Sequence, residues 1–141
     1  AQREARYVAK QILGQPTSDS PVDYAKMPDV VFTHPEVATC GASEQQLLEH
    51  KQSYLTISGS YAQNAKAQIL QATSGKVWID YDPDSEKLLG VHIIGEHATE
   101  VIHQVPAWLA NQYTLTDVKK LVWGHPVLAE LLRDVITTSH N

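Results

Sequence analysis

Near the end of the sequence, His125-Pro126-Val127-Leu128-Ala129-Glu130 puts an imidazole and a carboxylate within six residues of each other. An unperturbed imidazole has a pKa of about 6.5, and a neighbouring carboxylate orients the ring and stabilises its charged form. Such a pair can take and return a proton near neutrality. Pro126 suits the first position of a helix, because its φ is preset and its missing N–H is one that a helix start leaves unpaired. The positive end of that helix would favour neutral imidazole, against the pull of the carboxylate. Leu128, Leu131, Leu132, Val135 and Ile136 form the buried arc of the expected helix, which leaves Glu130 on the polar arc with Arg133 and Asp134. On periodicity alone that arc reads as solvated charge, so Glu130 stands both as a catalytic partner for His125 and as a surface carboxylate.

The other reactive residue types assemble less well. Cys40 is the only cysteine, which excludes an internal disulfide, a redox-active cysteine pair and a cysteine-based metal cluster within one chain. It reads as a partly buried structural residue beside Gly41. His92, His97 and His103 lack the spacing that puts metal ligands on one helix face or hairpin face, so no metal site is expected. His34, before Pro35, reads as a loop residue. Trp108, Trp123 and Tyr113 read as core or interface, with Trp123 placed to line a partner's cleft. Eleven Lys and Arg against sixteen Asp and Glu give a net charge of −5. The cations are scattered, so nucleic acid is not an expected partner. No apolar run approaches the ~20 residues of a membrane span, and no basic-then-apolar leader is present. A reducing, cytoplasmic setting is expected.

These residues must be positioned by a chain of 141 residues, 43% of them hydrophobic, which suffices for one core without metal or disulfide. Ala5, Val8, Ala9 and Ile12 recur at helical spacing over residues 1–14, with Gly14 as the stop. Residues 16–28 read as a surface linker. A short strand is expected at Val30-Val31-Phe32, broken by Pro35, and Ser43 with Gln46 forms a capping-box signal for a helix to about His50. Residues 53–60 alternate, with Leu55 and Ile57 on one face. Residues 76–82 alternate too, with Val77, Ile79 and Tyr81 opposed to Trp78 and Asp80. Asp82-Pro83-Asp84-Ser85 is a turn, and 88–94 returns as the second half of a hairpin. A helical stripe from Ala98 to Leu109 contains Pro106, which predicts a kink or two shorter pieces. Thr116 is the expected cap of a short helix to about Val122. Strands followed by helices, without a βαβ rhythm, indicate an α+β fold with an antiparallel sheet.

Several stretches, taken together in order, resemble the C-terminal dimerisation domain of the FAD-dependent pyridine nucleotide–disulfide oxidoreductases. They are Val31-Phe32-Thr33-His34-Pro35-Glu36-Val37-Ala38, Asn64-Ala65-Lys66-Ala67, Leu89-Gly90-Val91-His92-Ile93-Ile94-Gly95, Ala98-Thr99-Glu100-Val101-Ile102, and His125-Pro126 with Glu130. The match runs from about Met27 to Val135, and the first stretch is most similar to dihydrolipoamide dehydrogenase. The resemblance implies a homodimer in which His125 is the acid/base beside a redox disulfide of the partner subunit and Glu130 holds its ring. A dithiol or disulfide substrate is implied with it. It also implies FAD and NAD(P) on upstream domains, and no cofactor on this chain, which has no Gly-x-Gly-x-x-Gly. Residues 1–24 resemble the last helix of an FAD domain plus a linker, and residues 25–141 the dimerisation domain. Trp123, Val127 and Ala129 depart from the family's usual His, Thr and Ser or His, which leaves the substrate open between lipoamide and another disulfide. A non-catalytic dimerisation or binding module of a flavoprotein relative is the alternative.

Overall fold

Alternation through the middle of the sequence builds a five-stranded antiparallel sheet in the computed structural model, which describes residues 2–16 and 22–138. Helix α1 (Gln2–Ile12) comes first and stops at Gly14, whose φ of +62° suits a residue without a Cβ. None of its residues is buried, and Val8 and Ile12 of its apolar stripe are 51% and 79% exposed. Residues 17–21 of the expected linker lie outside the described residues. The remainder includes a 3-10 turn, Tyr24–Lys26, capped by the Asp23 carboxylate.

The strands are β1 (Asp29–Val31), β2 (Glu36–Gly41), β3 (Leu55–Ser60), β4 (Lys76–Tyr81) and β5 (Leu88–Gly95), in the order β1-β2-β5-β4-β3. The expected hairpin is the β4–β5 pair, and its turn is held by Asp82 Oδ1, which accepts from the N–H groups of Asp84 and Ser85 and from the Ser85 hydroxyl. Phe32 lies beyond β1 and is 80% exposed. The sequence reading leaves 36–41 unassigned, yet this stretch is β2, wedged between β1 and β5. Its mixed composition carries little local preference, and pairing on both sides makes it a strand.

Ala38, Cys40, Ile57, Val77, Ile79, Val91 and Ile93 share the face of the sheet that forms the core. Helix α2 (Glu44–Glu49) carries the anticipated Ser43–Gln46 capping box, and helix α3 (Ala65–Ile69) follows β3 after a 3-10 turn at Tyr61–Gln63. The Ala98–Leu109 stripe breaks into α4 (Ala98–Val101), a 3-10 turn (Ile102–Gln104) and α5 (Val105–Ala110). Pro106 falls in the first turn of α5, where its missing N–H leaves no intrahelical bond unmade.

Two C-terminal boundaries differ from expectation. Helix α6 (Leu115–Lys119) is capped by Thr114, not Thr116, and ends before Val122. The Thr114 hydroxyl accepts from Asp117 N–H while the Asp117 carboxylate accepts from Thr114 N–H, and Thr116 instead donates to Glu86. Helix α7 (Glu130–Thr138) starts at Glu130 rather than at Pro126. Residues 127–129 accept tighter i to i+3 bonds from Glu130, Leu131 and Leu132, while side chains bond the Val127 N–H and share its carbonyl. Leu131, Leu132, Val135 and Ile136 anchor α7 against the sheet; burying each contributes about 1.5–3 kcal/mol.

Candidate functional site

The loop that leads into α7 holds both residues of the candidate pair. His125 Nδ1 lies 3.2 Å from each oxygen of the Glu130 carboxylate, so the ring nitrogen is centred on the carboxylate. The His125–Pro126 peptide bond is cis. Glu130, which periodicity alone puts on a solvated arc, is 3% exposed. That placement fails because the helix begins at this residue, and its side chain folds back over the preceding loop instead of projecting from the middle of a polar face.

Three donors meet at that buried carboxylate. Besides His125 Nδ1, Val127 N–H donates to Oε2 at 3.0 Å and Arg133 Nη2 donates to Oε1 at 2.9 Å. The Val127 N–H, followed by His125 and Arg133, holds the Glu130 carboxyl below the usual glutamate range, and burial works against them. An ionised carboxylate only accepts, so Nδ1 must carry the proton of the neutral ring and Nε2 its lone pair. The His125 side chain is 70% exposed, and Nε2 has no hydrogen-bond partner among the described residues. The arrangement thus presents an oriented proton acceptor outward and keeps its counter-charge dry.

Beside the pair opens a cavity of about 400 Å³ lined by Gln63, Asn64, Ala65, Arg133, Asp134, Thr137 and Thr138. Two contacts fix the loop from outside α7. Trp123 packs edge-on against Trp108, with ring centroids 6.0 Å apart at 77°, which places its indole against the core. Asn64 Nδ2 donates to Val127 O at 3.2 Å. The sequence reading names Asn64 only within a family stretch and Arg133 only as surface charge. A cap could be foreseen for Asn64 from residue type, but nothing local links it to Val127, sixty-three positions on.

The other candidates stay apart from this site. Cys40 is fully buried at 1% exposure, more than expected, and burial pushes its thiol up to about 11. His92 lies 3.3 Å from Asp80 on the sheet face opposite the core, and His97 lies 3.5 Å from Glu96. Asp80, expected on the outer face of β4, is nonetheless 3% exposed, and it accepts a hydrogen bond from Thr56. No group of three or more His, Cys, Asp or Glu able to hold a metal occurs among the described residues, and no helix there is long and apolar enough to cross a membrane.

The described residues thus form an antiparallel sheet covered by helices, whose last helix opens on a buried carboxylate clamping an exposed histidine. Residues 27–136 match the family described as pyridine nucleotide-disulphide oxidoreductase, dimerisation domain, and the chain belongs to it. The mitochondrial dihydrolipoyl dehydrogenase 1 of Arabidopsis thaliana is 33% identical over 120 residues, covering 85% of this chain and 24% of that protein. The mitochondrial dihydrolipoyl dehydrogenase of Sus scrofa is 35% identical over 113 residues, 80% of this chain and 22% of that protein. Among solved structures, the HOCl-induced flavoprotein disulfide reductase RclA of Escherichia coli superposes with a TM-score of 0.82 at 21% identity, over 94% of this chain and 30% of that one. The chain therefore spans about a quarter of the length of the curated relatives it matches.

Proposed function

We propose that this domain pairs with a second copy of itself in a full-length FAD- and NAD(P)-dependent disulfide oxidoreductase, and that His125 is the acid/base at the partner subunit's redox disulfide. The observation that carries the reading is the clamped ring, with Nδ1 on the buried Glu130 and Nε2 exposed. The flavin and the nicotinamide supply electron transfer in such proteins. The residues here do not fit either cofactor, since the chain has no glycine-rich dinucleotide motif, and its one cysteine cannot form the redox pair. Its own residues supply the proton step. His125 Nε2 removes the proton of a substrate thiol, which makes the thiolate, the attacking form in disulfide exchange. Glu130 stabilises the resulting imidazolium, and the proton returns from Nε2 when a leaving thiolate is protonated.

In the same reading residues 1–24 belong with an upstream FAD domain. The apolar stripe of α1, uncovered by the described residues, supports this. Similarity to dihydrolipoyl dehydrogenases favours a dithiol of the lipoamide class as substrate.

The test is His125→Gln in the full-length protein. Dithiol turnover should fall by about 10²–10⁴-fold, the range that general acid/base catalysis contributes, with flavin content and dimer assembly unchanged. Unchanged turnover would remove His125 from the chemistry.

A further inference from the structure

Asn64 is 2% exposed and spends both ends of its side chain on main-chain partners. Its Oδ1 accepts from Ala67 N–H at 3.0 Å, which caps α3, and its Nδ2 donates to Val127 O at 3.2 Å. The two ends cannot be exchanged, because Ala67 N–H needs an acceptor and Val127 O needs a donor. Val127 is thereby held at both backbone atoms, its N–H by Glu130 and its carbonyl by Asn64. Glu130 belongs to the loop's own helix and moves with it. Asn64 caps α3 instead, and lines the same cavity as His125 and Glu130.

We propose that Asn64 is a positioning residue for His125, fixing where the imidazole stands relative to the body of the domain. The proposal rests on the acid/base reading of His125. Glu130 sets the orientation of the ring within the loop, and the Asn64–Val127 bond sets the loop against α3 and hence against whatever approaches the cavity. A thiol bound by another subunit meets Nε2 at the correct distance only if both hold. Loss of the Asn64 donor therefore acts on the proton-transfer step and not on substrate binding.

Asn64→Ser separates the two contacts, since a serine Oγ still caps a helix but is too short to reach Val127 O. In the full-length protein kcat for the dithiol should fall by roughly 10- to 100-fold while KM changes by less than about twofold, the pattern of a misplaced catalytic group. The amide order parameter of Val127 from nitrogen-15 relaxation should fall as the loop loosens against the domain, while melting temperature and dimer content stay near the parent's. Asn64→Asp, which keeps the shape and the cap and also loses the donor, serves if the serine variant does not fold. Unchanged kcat and an unchanged Val127 order parameter would overturn the proposal. So would a kcat that falls only in step with melting temperature while the Val127 amide stays as ordered as in the parent, which marks a purely structural residue. Loss of turnover in His125→Gln with none in Asn64→Ser sinks only the positioning role, whereas full turnover in His125→Gln sinks both readings.

Discussion

At the scale of single residues, the buried Glu130 carboxylate is the group on which the candidate site depends. Its carboxyl titrates below the usual glutamate range, chiefly because the Val127 N–H donates to it. A folded value below the unfolded one adds stability above the ordinary glutamate pKa, and that stability is lost as pH falls through the folded value. Glu130→Gln cannot titrate, and its amide turns a donor toward existing donors. Relative to the parent it should be destabilised by about 1–3 kcal/mol at about pH 7, with the deficit shrinking below about pH 4.3. Urea titrations at both pH values measure this, and a deficit independent of pH would show that the charge is not what matters. The sequence makes the pair itself legible, since His125 and Glu130 are local in the chain. Periodicity alone puts Glu130 in solvent because it assumes a helix already running at that residue, and here the helix is only beginning.

At the scale of elements, β3 and α7 approach so closely that a Cβ on Gly59 would lie 2.4 Å from Val135 Cγ2. Gly59→Ala should push α7 outward and cost about 1–3 kcal/mol, the usual penalty of an extra methyl in a packed contact. Val135→Ala removes the opposing methyls, so the double variant should be markedly less destabilised than the sum of the two singles. Thermal melts of the four proteins in the cycle measure the coupling, and simple additivity would mean that the contact is slack. Most elements of this kind are legible beforehand. The hairpin of β4 and β5, the Ser43 cap and the division at Pro106 all follow from local signals. Strand β2 and the cap at Thr114 are not, because the strand is settled by partners distant in sequence and the cap by a choice between two threonines one residue apart.

At the scale of the whole molecule, the α+β class and antiparallel sheet follow from the order of strands and helices, and the family from the ordered motifs. The strand order, with β5 between β2 and β4, is a property of pairing alone. The surface carries large apolar side chains that a monomer would leave in water, among them Phe32, Leu48, Ile69 and Val122. In light scattering at micromolar concentration the chain should have twice the mass of one copy, as expected of a domain that closes a two-fold interface. A monomer at those concentrations would mean that these side chains are covered by other parts of a longer protein.

The ring closed between His125 and Glu130 through their own stretch of backbone has a mechanical consequence. Donor, acceptor and the chain joining them form one closed linkage. Translation or tilt of that linkage leaves the internal distance untouched and changes only its reach toward an outside group. Orientation of the imidazole and its reach toward an outside group are thus separate degrees of freedom, and the first survives a change in the second.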